Sequence, residues 1–191
     1  NKKPAERRDD IHPFTREELK LFLDTAHQHF PRSAPFFLTL ARTGLRLGEA
    51  LALQWGDIDW HGRFIEVRRT FCHRSRQLQT PKSGKSRRVD MSQQLTATLK
   101  ALLVERKKET LQNGWNELPL PIFTTEVGTM LAGDHMRNRT FYPILKKAGL
   151  RQIRLHDLRH TFASLLIQQG TPLLYVKEQM GHHSIQVTAD I

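Results

Sequence analysis

The sequence predicts a mainly helical domain with one small antiparallel β-sheet, which is an α+β fold class. Two observations support this prediction. Apolar residues recur at helical spacing on both sides of residues 57–91, whereas residues 57–91 hold short β-type segments separated by turn residues. The length of 191 residues, with 38% hydrophobic and 26% charged residues, is typical of a soluble chain that buries a core.

Three helices are predicted before the sheet. The first begins with a capping box, in which the Thr15 hydroxyl and the Glu18 carboxylate each accept a hydrogen bond from a free backbone N–H, and it runs to about Ala26. The second ends at Gly44, because glycine commonly terminates helices. The second and third helices are expected at about 34–42 and 47–53.

The sheet and the helices that follow it are predicted from turn-forming residues and from the spacing of apolar residues. About three antiparallel strands are expected within residues 57–91, where Asp, Gly and Ser separate the β-type segments. Helices are then expected at about 92–108, 134–148, 158–169 and 172–181, with a last one from residue 184. Pro143 is expected to break or kink its helix, and Pro172 is expected to take a first helical position.

The composition excludes several classes of protein. A single cysteine, Cys72, excludes an internal disulfide framework and a cysteine-based zinc site. No stretch approaches the roughly 18–20 apolar residues that a membrane span requires, and the N-terminal residues lack the apolar core of a signal peptide. We therefore expect a cytoplasmic protein with no membrane partner. The net charge of +11 points to a polyanionic partner, of which nucleic acid is the commonest.

Most of the excess charge lies between Arg63 and Arg88. This stretch of 26 residues contains nine basic side chains and one acid, Glu66, for a net charge of +8. Its charges alternate with apolar residues, so a strand would place them on one face, where they could follow a phosphate backbone. A solvated hairpin surface is the alternative interpretation. The predicted DNA-contacting residues are Arg68, Arg69, Arg74, Arg76, Lys85, Arg87 and Arg88.

Two further segments carry residues suited to binding an anion. Arg46 lies in an otherwise apolar stretch, where we expect it to be partly buried, and a buried guanidinium requires an anionic partner. Either Glu49 supplies that anion in a structural salt bridge or a ligand phosphate does. His156 and Arg159 lie one helical turn apart, so they could hold one phosphate, or cap a helix and pair with Asp157.

Together with the basic hairpin, these segments resemble the tyrosine recombinase (phage integrase) family. The resemblance covers residues 14–191, is to the C-terminal catalytic domain, and implies the fold of the DNA breaking-rejoining enzymes. TGLRLGEAL is similar to the first arginine box of the family and assigns Arg46 as a catalytic arginine. TPKSGKSRRV is similar to the hairpin that carries the catalytic lysine and assigns Lys82, with Lys85 as a nearby competitor.

Two more motifs complete the resemblance. HDLRHTFAS is similar to the His-x-x-Arg box of the family and assigns His156 and Arg159. MGHHSIQVTADI is similar to the Leu-Gly-His box and assigns His182, with Met180 in place of the leucine. Glu49 and His160 are expected to support the catalytic residues without touching the substrate.

The resemblance implies the reaction and the role of each residue. A tyrosine hydroxyl attacks a DNA phosphodiester, which forms a 3′-phosphotyrosyl link and a free 5′-hydroxyl without a metal or nucleotide cofactor. Arg46 and Arg159 would stabilise the phosphorane, because guanidinium groups offer forked, permanently charged donors. Lys82 would protonate the 5′-oxygen, His156 would act as acid and base, and His182 would donate a hydrogen bond to the phosphate.

The position that corresponds to the nucleophilic tyrosine of the family falls one residue past Ile191. We expect the tyrosine to follow there; the alternative is a protein without one. Tyr142 and Tyr175 are interpreted as packing residues rather than substitutes. The expected organisation is therefore a linker at residues 1–13, following a DNA-binding region that is missing from this sequence, and a catalytic domain at 14–191 that stops just before the nucleophile.

The resemblance also implies partners and a purpose. The expected partner is double-stranded DNA, on which a homo-tetramer would integrate or excise a phage or mobile element in a bacterial or phage-host cytoplasm. Accessory proteins that bend DNA or set the direction of recombination would fit this interpretation. The alternatives are a metal-dependent hydrolase that uses the histidines, a DNA-binding module without catalysis, and a type IB topoisomerase. The metal-dependent hydrolase is disfavoured because the sequence has no His-Glu-x-x-His motif.

Overall fold

A computed structural model describes residues 13–72, 75, 77–80 and 86–189. Helices dominate, and the strands lie between the third and fourth helices, which confirms the predicted fold class. The helices are α1 (Arg16–His29), α2 (Ala34–Thr43), α3 (Leu47–Leu51), α4 (Gln93–Gln112), α5 (Gly133–His135), a π-helix (Met136–Phe141), α6 (Tyr142–Lys147), α7 (Asp157–Gln168), α8 (Leu173–Met180) and α9 (Ile185–Ala189). A short 3₁₀ helix, Trp55–Asp57, precedes the strands.

The start of α1 follows directly from its sequence. The Thr15 hydroxyl accepts a hydrogen bond from the Glu18 N–H at 3.1 Å, and the Glu18 carboxylate accepts one from the Thr15 N–H at 2.9 Å. This is the predicted capping box. The helix continues to His29, three residues beyond the predicted end, and these last three residues are exposed.

The strands form two antiparallel sheets rather than one. β1 (Ile58–Asp59), β2 (Phe64–Val67) and β5 (Arg87–Asp90) form a sheet in the order β1-β2-β5. β3 (Thr70–Cys72) and β4 (Gln77–Gln79) form a separate two-stranded ribbon. The first sheet has the predicted number of strands, and the ribbon is additional. The ribbon lies against α3, where a Cβ on Gly48 would be 2.6 Å from the Phe71 carbonyl oxygen.

The structure contradicts both predictions for proline, the break or kink at Pro143 and the first helical position for Pro172. The helix around Pro143 is not broken at the proline, which lies in the first turn of α6 where a missing N–H is tolerated. The irregularity is the π-helical turn Met136–Phe141 immediately before it. Pro172 precedes α8 in an extended conformation and does not occupy a first helical position.

The main core is rich in phenylalanine and joins α1, α2 and the π-helix. Phe22 lies 5.5 Å from Phe37 and 5.4 Å from Phe141, and both ring pairs are edge-on, a favourable geometry for aromatic contacts. A smaller apolar cluster joins α7 to α8 through Ala163 and Met180, which are fully buried. Met180 lies at the end of α8, and its sulfur is 2.8 Å from where a Cβ on Gly44, at the end of α2, would be.

Candidate active site

The site lies where the C-terminal ends of α2 and α8 meet the first turn of α7. Both helices end at a glycine in the left-handed conformation, Gly44 with φ 62° and Gly181 with φ 63°. Helix C-termini leave carbonyl oxygens without intrahelical partners, and a guanidinium can donate to them. Arg159 of α7 donates one N–H to the Gly44 carbonyl and another to the Met180 carbonyl. Three sequence segments are thereby brought together around one side chain.

Arg159 is buried and remains charged. Its exposed fraction is 3%, and its guanidinium contacts backbone carbonyls rather than a carboxylate within the described part of the chain. Burial, followed by the charge of Arg46, lowers the pKa of Arg159 to about 9. The group is therefore still protonated at neutral pH, and a bound anion would offset the unfavourable burial of its charge.

Arg46 is exposed, contrary to the expectation that it is partly buried. Its side chain is 45% exposed, whereas that of Glu49 is 2% exposed. The reason is the short helix α3, which begins just after Arg46 and directs the Glu49 carboxylate back toward the Arg46 backbone N–H at 2.9 Å. The Arg46 guanidinium donates to Glu49 at 2.9 Å and to the Gly181 carbonyl at 3.4 Å. The structural salt bridge therefore exists, and part of the Arg46 side chain still faces solvent.

Glu49 accepts hydrogen bonds from two arginines. Besides the two bonds from Arg46, it accepts two from Arg87, at 2.9 Å from Nη1 and 2.7 Å from Nη2. Burial alone would raise the pKa of Glu49, but the hydrogen bonds and charges of Arg87 and Arg46 outweigh it and lower the pKa to about 2. Glu49 is consequently a carboxylate at every pH at which a protein is normally studied.

His156 and His160 form an edge-on pair at the start of α7. Their ring centroids are 5.1 Å apart with an interplanar angle of 80°. His156 is exposed yet lines a pocket of about 340 Å³ with Arg159, and desolvation there, reinforced by the charge of His160, lowers its pKa to about 4. Asp157 pairs with Arg154 at 3.0 Å, rather than with either histidine. His156 is therefore neutral at pH 7 and able to accept a proton.

His182 follows Gly181 and is held by the last helix. Its Nδ1 lies 3.0 Å from the Thr188 hydroxyl of α9. Burial, reinforced by the charges of Arg159 and Arg46, lowers the pKa of His182 to about 4. An open cavity of about 810 Å³ lies beside it. Residues that line the cavity include Arg46, Arg87, Arg88, Tyr175, Gly181, His182 and His183.

The structure thus brings Arg46, His182 and, behind them, Glu49 to one cavity. Arg159 lies beneath Gly44 and Met180, and His156 lines the neighbouring pocket that Arg159 also contacts. His160, expected in a supporting role, is half-buried beside His156.

The predicted DNA-contacting residues have different surroundings. Arg68 pairs with Glu66, and Arg69 pairs with Asp57 at 2.5 Å. Arg88 is exposed, with its guanidinium 4.6 Å from the centre of the Phe64 ring. Arg87 contacts Glu49 instead of solvent. The predicted residues Arg74, Arg76, Lys82 and Lys85 lie outside the described residues.

Sequence reasoning did not foresee the contact between Arg87 and Glu49. The two residues are far apart in sequence, and the charge pattern groups Arg87 with the basic hairpin. One signal was present: alternation along β5 places Arg87 on the same face as Val89, which is fully buried. An arginine on the buried face of a strand requires a buried acceptor, and Glu49 is that acceptor.

The two tyrosines differ in environment. Tyr142 packs beside Phe141, with ring centroids 5.6 Å apart, in keeping with its expected packing role. Tyr175 is half-buried, lines the cavity beside Arg46, and donates its hydroxyl to Asp90 at 2.7 Å. Burial, together with this hydrogen bond to a carboxylate, raises the pKa of Tyr175 to about 12.

The described residues offer neither a group of metal ligands nor a membrane-spanning helix. In that part of the chain, no three His, Cys, Asp or Glu side chains are arranged so that they could hold a metal ion. The same residues include no helix that is both long and apolar enough to cross a membrane.

Comparison with known proteins connects this geometry to a family. The chain is 32% identical to a "Tyrosine recombinase XerC-like" protein of Caldanaerobacter subterraneus subsp. tengcongensis over 95% of its length, and 35% identical to the ICEBs1 integrase of Bacillus subtilis over 92%. It spans only 50% and 48% of the lengths of these two relatives.

Solved structures share the fold. A structure of the Tn1549 transposon integrase in complex with a circular intermediate DNA superposes with a TM-score of 0.83 at 19% identity, covering 98% of this chain and 63% of that one. The catalytic domain of bacteriophage HP1 integrase gives a TM-score of 0.62 at 18% identity, covering 95% of this chain and 86% of that one. The family model described as "Phage integrase family" matches residues 13–191. The resemblance drawn from the motifs is confirmed, and the chain belongs to the phage integrase family.

Proposed function

We propose that this chain is the catalytic domain of a site-specific DNA recombinase that cuts and rejoins duplex DNA through a 3′-phosphotyrosyl intermediate. The observation that carries the proposal is the cluster of Arg46, Arg159 and His182 at the meeting point of three helix ends. Relatives named as a tyrosine recombinase and as the ICEBs1 integrase support the same conclusion.

The chemistry of the site suits a phosphodiester. Arg46 is the exposed donor that first meets a non-bridging phosphate oxygen, and Arg159 supplies a second, buried positive charge beneath it. Neutral His156 accepts the proton of the attacking tyrosine hydroxyl, and His182 donates a hydrogen bond to the phosphate. The P–O bond to the 5′-oxygen breaks as the tyrosine–phosphorus bond forms, and Lys82 supplies the proton that the 5′-oxygen takes up. The tyrosine follows Ile191 in this proposal.

The proposal also includes the substrate, the oligomeric state and the biological purpose of the reaction. Double-stranded DNA is the substrate, and the protein acts as a homo-tetramer in the cytoplasm of a bacterial or phage-host cell to integrate or excise a phage or mobile element. A structural relative, the Tn1549 transposon integrase, is solved in complex with a circular intermediate DNA, which supports DNA as the partner. No metal or nucleotide is needed, because the energy of the broken bond is retained in the covalent intermediate.

The test is the formation of a covalent adduct between the full-length protein and a DNA duplex that carries its recombination site, in the presence of a chelator. Arg46→Ala and Arg159→Ala are each expected to lower the rate of adduct formation on the order of 10²–10³-fold, because each removes a donor to the developing phosphorane charge. DNA binding is expected to change far less. Peptide mapping of the adduct identifies the tyrosine that carries the DNA.

The matched control is Arg16→Ala, which removes an exposed arginine at the start of α1 and should leave the rate unchanged. DNA binding without any adduct would instead support a DNA-binding module, and adduct formation that requires a metal would support a metal-dependent enzyme. Near-normal cleavage by Arg46→Ala or Arg159→Ala would overturn the assignment of the site.

A further inference from the structure

We infer that Arg87 is a positioning residue of this site: it holds Glu49, and through Glu49 the exposed Arg46, and it joins β5 to the end of α8. The inference rests on the proposed function and goes beyond it. It assigns to the core of the site a residue that the sequence placed on the DNA-contacting surface.

The first contact is the two-pronged bond to Glu49. Arg87 Nη1 lies 2.9 Å from Glu49 Oε1, and Arg87 Nη2 lies 2.7 Å from Glu49 Oε2. The same two oxygens accept the bonds from Arg46. Arg87 thus supplies half of the hydrogen bonds that these two arginines make to a carboxylate only 2% exposed. Without Arg87, the carboxylate would lose its best-shaped partner and could rotate away from Arg46.

The second contact joins β5 to α8. Arg87 Nε donates to the Gln179 carbonyl at 3.2 Å, and the Gln179 side chain accepts a bond from the Asp90 N–H at 2.8 Å. Arg87 also packs on Gly181, where a Cβ would lie 2.8 Å from Arg87 Cδ. Arg87 therefore contacts the two residues that flank Met180, and Gly181 is followed directly by His182.

These contacts leave Arg87 poorly placed to follow DNA. Its side chain is 14% exposed, and Nε, Nη1 and Nη2 all donate inward. Its neighbour Arg88 is exposed on the opposite face of β5, as the alternation of a strand requires. Arg87 acts on the reaction through Glu49 and the α8 end, whereas Arg88 remains available for a phosphate.

The test compares single-turnover adduct formation by the full-length wild type, Arg87→Lys and Arg87→Ala at saturating DNA. Lysine keeps the charge and the aliphatic stem but cannot bind Glu49 with two parallel bonds. Displacement of a catalytic group by about 1 Å can lower a rate about 100-fold, so we expect a loss of that order with DNA affinity nearly unchanged. The matched control is Arg32→Lys, which alters a two-pronged pair with Glu109 at the opposite end of α2.

The pH dependence separates positioning from general stability. In wild type, the pKa of Glu49 is about 2, with Arg87 as its strongest hydrogen-bond partner. In Arg87→Ala the carboxylate stays buried with fewer partners, so its pKa rises and it becomes protonated as the pH falls. Cleavage by this variant should therefore decline more steeply than cleavage by wild type as the pH is lowered from 7. Added methylguanidinium should partly restore its rate.

The outcomes distinguish this inference from the proposed function. Adduct formation by Arg87→Lys at the wild-type rate, or a loss that disappears when more DNA is added, overturns the inference alone. Absence of adduct from the wild type overturns the proposed function and the inference together. Thermal unfolding of each variant establishes whether it is folded. If Arg87→Ala is not folded, the adduct rate of Arg87→Lys alone tests the inference.

Discussion

At the scale of single residues, the site carries more positive than negative charge. The guanidinium groups of Arg46 and Arg87 bind one buried carboxylate, that of Glu49, and a third guanidinium group, that of Arg159, lies nearby. The nearby histidines add no charge at neutral pH, because the pKa values of His156 and His182 are each lowered to about 4. A bound anion would neutralise the excess positive charge, and a DNA phosphate has the charge and the oxygen geometry that guanidinium groups bind.

The lowered pKa of His182 predicts how stability depends on pH. In the unfolded chain the imidazole has its ordinary pKa of 6.5, whereas in the folded protein burial lowers the pKa to about 4. Between these values the unfolded state binds a proton that the folded state does not. The contribution of His182 to stability is therefore fully present above about pH 6.5 and is lost as the pH falls toward 4.

The measurement is the free energy of unfolding of wild type and His182→Asn at pH 7.5 and 5.0. Wild type is expected to lose more stability over this interval than the variant, which has no imidazole to protonate. The lost bond to Thr188 affects the variant at both pH values alike. Equal losses in the two proteins would show that His182 does not titrate as described.

Single-residue roles were only partly predictable from sequence. Glu49 lies one helical turn from Arg46, so their pairing could be anticipated from spacing alone. Which of the two is buried could not, since that depends on Arg87, which reaches Glu49 from a distant strand. Spacing in the sequence predicts partners on adjacent helical turns, but it does not predict contacts between residues that only tertiary packing brings together.

At the scale of the elements, the close approach of α2, α7 and α8 depends on Gly44. Its φ of 62° is in the left-handed region, and a Cβ there would lie 2.8 Å from the Met180 sulfur and would collide with the Phe162 ring. The residue that ends α2 thus also allows α7 and α8 to pack against it.

We predict that Gly44→Ala lowers stability by about 1–3 kcal/mol and also impairs adduct formation, because backbone strain and a steric clash act together. Gly114→Ala is the matched control: its φ is 65°, but no atom lies within 4 Å of the added Cβ. The control should show the backbone effect alone. Thermal unfolding of both variants gives the comparison, and equal destabilisation would rule out the proposed clash.

Elements with local signals were predicted well, and those that depend on tertiary contacts were not. The Thr15 capping box and the glycine stop of α2 depend on a few adjacent residues, and both are present. The π-helical turn before Pro143 and the separate β3–β4 ribbon have no comparable local signature. Packing of β3 on α3 is the tertiary contact that accompanies the ribbon.

At the scale of the whole molecule, the net charge of +11 predicts that the affinity for DNA falls steeply as the salt concentration rises. Arg88, exposed on β5, is the described residue best placed to test the basic surface. Arg88→Ala is expected to weaken DNA binding by a similar factor for all sequences. It should also reduce the slope of log affinity against log salt by about one.

The slope is measured by fluorescence anisotropy of labelled duplex DNA with the full-length protein at several salt concentrations. Arg32→Ala provides the comparison, because Arg32 pairs with Glu109 away from the site. An unchanged slope in Arg88→Ala would remove this residue from the DNA-contacting surface.

The hydrogen bond between Tyr175 and Asp90 has a consequence for the fidelity of the proposed reaction. Tyr175 places a second phenol at the cavity that would receive the scissile phosphate. A phenol attacks best as its anion, yet the neighbouring Asp90 carboxylate and partial burial hold Tyr175 in the protonated form. The bond to Asp90 therefore raises the cost of ionising Tyr175, which in the proposed reaction disfavours attack by this phenol on the phosphate.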